Sequence, residues 1–196
     1  EASQQQALRY DKGGEEHYNV VSAFIKSLRG SDPDAAVYWL MRMLEAGEDP
    51  LFVARRMVIF AAEDVGNAEP QALQIAVAAK DAVHFVGLPE GRIPLSQAAT
   101  FLATCPKSNA SYRAMLAAVE DVKRSGTLPV PLHLRNAPTR LMKGLGYGAG
   151  YQYPHDQPDA LAEQAYLPAR LAGRRYYEPT ERGREREIGE RLRAAR

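Results

Sequence analysis

The first 146 residues repeat one pattern of polar and apolar positions. An acidic residue and a proline come first, then apolar residues recurring every three or four positions, then a glycine. The starts are SDPDAA at 31–36, EDPLFV at 48–53 and AEPQAL at 68–73. An acidic side chain caps the free N–H groups of a first turn, and proline suits the first helical position. Gly30, Gly47, Gly87 and Gly126 are the matching stops. The spacing predicts helices over 15–29, 33–46, 50–64, 70–86, 92–105, 108–125 and 138–145, with Pro94 blurring the start of the fifth. No stretch alternates with period two for long, so no strand is expected. Connections are short, which makes neighbouring helices antiparallel and the fold an all-α bundle.

Two of these helices are apolar nearly all round. AAVYWLMRML carries a single charge, Arg42. LFVARRMVIFAA shows one stripe at Leu51, Ala54, Val58, Ala61 and Val65 and a second at Val53, Met57 and Phe60. Helices with two apolar faces lie in the middle of a bundle or at a subunit interface. Trp39, Met43, Met57 and Phe60 are therefore candidates for an oligomer interface or for the core. The next helix, with alanines at 72, 76, 78, 79 and 82, permits close approach of a neighbour. Arg55 and Arg56 lie near the start of their helix and Glu63 and Asp64 at its end, against the helix dipole. Such charges need partners outside their own helix, and the amides of the following turn, VGNAEP, are the expected ones.

The pattern changes after Gly146. Residues 147–182 hold Tyr147, Tyr151, Tyr153, Tyr166, Tyr176 and Tyr177 together with Pro154, Pro158, Pro168 and Pro179. Prolines forbid a long helix or a central strand, and so many tyrosines argue against disorder. An extended strap is expected, anchored by its rings on the bundle or on a neighbouring subunit. A last helix is predicted over 183–195. The expected organisation is a linker at 1–14, a helical domain at 15–146, and the strap with its terminal helix at 147–196.

Composition narrows the chemistry. The net charge is +1, so no global field favours nucleic acid or membrane, although residues 170–196 carry nine Arg against five Glu. Nothing approaches the ~18 apolar residues of a membrane span. Cys105 is the one cysteine, which excludes an internal disulfide and suits a reducing cytoplasm. It reads as a small buried apolar residue. The start has no Met and no signal pattern, and a longer parent protein is expected.

LMKGLGYGAGYQYPHD, at 141–156, fits G-x-G-x-x-G/A only by force at Gly144, Gly146 and Ala149. A dinucleotide loop needs a strand before it and a helix after it. Here a helix precedes, and QYPHD cannot open one, so the glycines read as a helix end and a bend. The histidines at 17, 84, 133 and 155 have no metal spacing. His155–Asp156 reads as a turn, His133 as a structural residue in a tight segment, and Ser108, Asn109 and Ser111 as helix caps. A small enzyme built on His155 and Asp156 is the least supported function. Arg135, Arg140, Lys143, Arg174 and Arg175, with tyrosines interleaved, are candidate DNA contacts, against the alternative of a solvated, salt-bridged surface.

Residues 10–182 resemble the C-terminal region of the replication-associated recombination protein A family, the MgsA/RarA group of AAA+ ATPases related to the Werner-helicase-interacting protein. The resemblance is carried by YDKGGEEHYNVVSAFIKSLRGSDPDAAVYWLMRML, DPLFVARRMVIFAAEDVGNAEP, CPKSNASY, VPLHLRNAPTRLMKGLGYG, YPHD and RYYEPTERGRE. It implies a helical bundle similar to a clamp-loader collar, associated with homotetramer formation. It also implies a cytoplasmic, nucleoid-associated protein that acts at stalled forks in replication, recombination and repair, with DNA and single-strand-binding protein as partners. ATP and magnesium would belong to an ATPase module upstream, so no cofactor, metal or catalytic residue is expected in this stretch. The alternative is a DNA-binding module contacting single-stranded or forked DNA through its Arg and Tyr residues.

Overall fold

Each acid–Pro junction opens a helix in the computed structural model, which describes residues 15–195; the expected linker at 1–14 lies outside the described residues. Asp32 accepts from the Ala35 amide at 2.9 Å at the head of α2 (Pro33–Glu45). Asp49 accepts from the Leu51 amide at 2.9 Å at the head of α3 (Pro50–Phe60). Glu69 accepts from the Gln71 amide at 3.2 Å before α4 (Gln71–Val86). First-turn N–H groups have no partner within their helix, and these carboxylates supply one. The other helices are α1 (Glu15–Arg29), α5 (Arg92–Thr104), α6 (Ala110–Ser125), α7 (Arg140–Gly144) and α8 (Glu185–Ala194). Pro94 falls in the first turn of α5, where a missing N–H costs nothing. The described residues contain no strand, so the fold is all-α.

α3 does not stop as an ordinary helix. It widens into a π turn, Ala61–Val65, closed by the Gly66 amide on the Ala61 carbonyl. Asp64 in that turn does find a partner outside its helix, as its position against the dipole required. The partner is not the following turn but Arg29 of α1, whose Nε and Nη2 donate at 2.6 and 3.0 Å.

The described residues form two compact units. Unit 1 holds the residues up to Arg113 together with Glu178–Glu190; unit 2 holds Ala114–Tyr177 and the residues from Arg191 on. The core of unit 1 is built by Phe24 and Leu28 of α1, Leu40 and Met43 of α2, Met57 and Phe60 of α3, and Leu95 and Leu102 of α5. Ala72, Ala76 and Ala79 let α4 pack closely on this core. Of the interface-or-core candidates, Met43, Met57 and Phe60 are buried here, and Trp39 packs against them half-buried with the Arg42 guanidinium 5.3 Å from its ring.

The C-terminal part of unit 1 docks by close backbone approach. Gly183 has φ +52°, and the next amide, Arg184, donates to the Ala68 carbonyl at 2.9 Å. Glu185 is 0% exposed. Its Oε2 accepts from the Ser108 hydroxyl at 2.6 Å and from the Thr180 amide and hydroxyl at 2.8 Å each. Ser108 also accepts from the Ala110 amide at 3.2 Å, the capping expected of CPKSNAS. Nearby, Lys107 caps the end of α5 by donating to the Ala103 and Cys105 carbonyls at 2.8 and 2.6 Å. Cys105 is buried, and that burial pushes its thiol up to about 11 against the pull of Lys107, so it stays protonated at neutral pH.

Candidate functional site

The glycine stretch shapes unit 2. Thr139 caps α7 by accepting from the Met142 amide at 3.2 Å, and the helix ends at Gly144. Gly146 and Gly148 take φ of +81° and +74°, which turns the chain back on itself. The Gly148 amide then donates to the Leu132 carbonyl at 2.9 Å, and a Cβ at Gly148 would lie 3.4 Å from the Arg135 carbonyl. Between the bend and α8 the chain forms no α-helix, only the single 3-10 turns Pro154–Asp156, Pro158–Ala160 and Ala169–Leu171. The glycines are a bend, as expected.

That bend sets Arg135. Its Nε donates to the Val130 carbonyl at 2.8 Å and its Nη1 to the Tyr147 hydroxyl at 3.2 Å, with the guanidinium 5.0 Å from the Tyr147 ring centroid. All of these partners are neutral. His133 donates through Nε2 to the Ala165 carbonyl at 2.7 Å, the structural role its tight segment suggested. Together with Asn136, Tyr151 and Tyr166, these residues line a cavity of about 420 Å³. His155 and Asp156 stay in an exposed turn, with the Tyr153 ring 5.2 Å from the imidazole. No group of His, Cys, Asp and Glu among the described residues is placed to hold a metal ion.

The other candidate DNA contacts separate. Arg140 and Lys143 sit exposed on α7, and Arg175 is exposed in the chain before Tyr176. Arg174 is engaged: its Nε donates to Asp121 of α6 at 2.7 Å, and the Tyr176 hydroxyl donates to the same carboxylate oxygen at 3.0 Å. Arg124 pairs with the second oxygen. The site residue that motif reading missed is Asp121, 1% exposed. Its one sign in the sequence is its place four and seven residues beyond Ala117 and Ala114, on the inward face of α6.

Burial alone would raise the Asp121 pKa, but the Tyr176 hydroxyl and the Arg174 guanidinium outweigh it and hold the carboxyl below its ordinary range. A folded-state pKa below the unfolded one contributes stability above the usual carboxylate value, roughly 3.9, and loses it as pH falls through the folded value. The Arg174 amide, which donates to the Leu171 carbonyl at 3.0 Å, is accordingly expected to stay protected from exchange at neutral pH and to lose protection in acid. Asp121→Asn is expected to cause the same loss at neutral pH. Unchanged exchange in that variant would show that Asp121 does not hold the segment.

Apolar side chains also remain in water. Phe85 is 90% exposed at the end of α4, with Val86, Leu88 and Ile93 exposed beside it in the chain around the turn into α5. On α6, Met115, Val119 and Val122 follow helical spacing and are all exposed. No helix among the described residues is long and apolar enough to cross a membrane.

Comparison with known proteins decides the family. Residues 30–196 match the model described as MgsA AAA+ ATPase C terminal, and residues 1–29 match the one described as AAA C-terminal domain. The chain belongs to the MgsA AAA+ ATPase C-terminal family. Within it, the chain is 54% identical over 185 residues to the replication-associated recombination protein A of Coxiella burnetii, covering 94% of this chain and 42% of that protein. It is 50% identical over 193 residues to the protein of the same name in Escherichia coli, covering 98% and 43%. Identity to the ATPase WRNIP1 of Dictyostelium discoideum is 47% over 176 residues, covering 89% and 20%. The chain thus spans about four tenths of the length of these bacterial relatives.

Proposed function

We infer that this chain is the oligomerisation collar of a clamp-loader-like AAA+ ATPase that acts in DNA replication, recombination and repair, and that it assembles as a closed, symmetric homotetramer. The observation behind it is the uncovered apolar turn between α4 and α5. Phe85 is 90% and Ile93 71% exposed, with Val86 and Leu88 exposed between them. Leaving one such side chain in water forgoes roughly 1.5–3 kcal/mol of burial, and a monomer gains nothing from it. A second copy of the chain covers it in a symmetric assembly. The names of the relatives support the setting, since several are replication-associated recombination proteins. In this reading ATP and magnesium bind the ATPase module of the whole protein, and the collar fixes the spacing of those modules.

Sedimentation velocity at high micromolar concentration is expected to show a tetramer. Phe85→Asp combined with Ile93→Asp is expected to give a monomer of unchanged helicity by circular dichroism. A wild-type monomer would defeat the collar, and an unchanged tetramer in the double variant would remove this face from it.

A second reading is DNA contact by unit 2, favoured by its charge. Residues 114–177 carry eight Lys and Arg against five Asp and Glu. Among the described residues, Arg135, Arg140, Lys143 and Arg175 have no carboxylate partner, whereas Arg174 is tied to Asp121. Single-strand-binding protein would be a partner of the whole protein.

A further inference from the structure

The cavity beside Arg135 is lined by residues 133–137, Gly148, Tyr151 and Tyr166, and hydrogen bonds between these segments and their neighbours hold its walls. Gln164 Nε2 donates to the Gln152 carbonyl at 2.8 Å and to the Tyr166 hydroxyl at 2.9 Å, while the Gln152 amide returns a bond to Gln164 Oε1 at 3.1 Å. The His133–Ala165 and Gly148–Leu132 bonds close the other sides. The volume, about 420 Å³, lies within the roughly 300–1,000 Å³ of small-ligand sites.

Two features of the lining point to one kind of ligand. First, Arg135 is immobilised entirely by neutral groups, a carbonyl, a phenol and a ring face, and its Nη2 makes no bond among the described residues. A planar guanidinium held in place with no anion to neutralise it is prepared for one, and its fork matches phosphate. Second, the same cavity is lined by Tyr151 and Tyr166, 45% and 53% exposed, and by the Asn136 amide, which has no partner among the described residues. Aromatic rings this open offer stacking surface, and an amide offers both a donor and an acceptor to a ring edge. An anion alone would use only Arg135.

We propose that this cavity binds one nucleotide unit, with its base stacked on Tyr166, the more open of the two rings, and its phosphate on Arg135. The unit is a free mononucleotide or one residue of a single strand; only the second source rests on the DNA-contact reading of unit 2.

The test uses the whole chain, fluorescence anisotropy of a labelled oligothymidylate with thymidine monophosphate and inorganic phosphate as competitors, and direct calorimetric titration of thymidine monophosphate. Tyr166→Leu and Arg135→Lys are each expected to weaken binding at least about fivefold, the lower end of base–aromatic stacking. Tyr166→Phe keeps the ring and is expected to stay within about twofold of the wild type. Thymidine monophosphate is expected to compete and inorganic phosphate to fail. Strand binding that ignores Tyr166→Leu and Arg135→Lys would overturn the cavity while leaving DNA contact standing. Tyr166-dependent binding of the mononucleotide without the strand would uphold the cavity and end the DNA reading. Equal competition by inorganic phosphate would reduce the site to an anion pocket and overturn the proposal. Binding of neither probe would overturn both.

Discussion

Gly183→Ala is expected to release the C-terminal part of unit 1. A Cβ on Gly183 would stand 2.1 Å from the Ala68 carbonyl oxygen and 2.8 Å from Pro106 Cγ. The first of these is backbone and cannot rotate away. The residue also sits at φ +52°, where a side chain costs about 1–2 kcal/mol by itself. Forcing extra atoms into a closed contact adds about 1–3 kcal/mol. A combined cost of about 3 kcal/mol exceeds what the single Arg184–Ala68 hydrogen bond contributes, about 0.5–1.5 kcal/mol. Residues 182–184 should therefore leave Ala68 rather than accommodate the methyl group, and residues 178–190, still tied by Glu185 to Ser108 and by Arg182 to the Lys107 carbonyl, should open far more often. Limited trypsin digestion is the check, because Arg182, Arg184 and Arg186 lie in that stretch. Cleavage there is expected to be fast in the variant and slow in the wild type. Identical digestion would mean that Gly183 does not approach Ala68.

Glu185→Ala is expected to have an effect of similar size by a different route. The buried carboxylate is the common acceptor for the Ser108 hydroxyl and for the amide and hydroxyl of Thr180. Its removal strands three donors, and one buried donor without a partner costs about 1–3 kcal/mol. Relaxation and entering water recover part of this, leaving a loss of about 3 kcal/mol. For a chain of this size that is a fall of about 6–12 °C in melting temperature, measurable by circular dichroism. Glu185→Gln keeps an acceptor oxygen and should lose less. The Gly183→Ala, Glu185→Ala double variant should melt little below the worse single variant. Once the segment has detached, the second substitution has no interaction left to remove. Additive losses would show that the two residues hold separate structures.

The helices were legible because their signals are local. Asp32, Asp49 and Glu69 cap their helices within two or three residues, and helical spacing of apolar positions marks the inward faces. The same locality made the glycine stretch readable as a bend and His155–Asp156 as a turn. The apolar character of α2 and α3 was visible too, but not its use. Met43, Met57 and Phe60 went into the core of unit 1, while the apolar residues left in water lie at Phe85, Ile93 and on α6.

Belonging to the all-α class, and the places where helices begin and end, were thus determined by the sequence alone, through hydrogen bonds and periodicities that span a few residues. Only the tertiary structure decided which charge meets which. Arg29 takes Asp64 across 35 positions, Arg174 takes Asp121 across 53, and Ser108 meets Glu185 across 77. Arg174 and Arg135 look alike in the chain, yet one is neutralised by a buried carboxylate and the other is left facing a cavity. The physical reason is that a cap or an apolar stripe is satisfied by neighbours whose distance the helix geometry sets. A long-range partner depends on the path by which the chain returns, and that path is set by the packing of the whole unit.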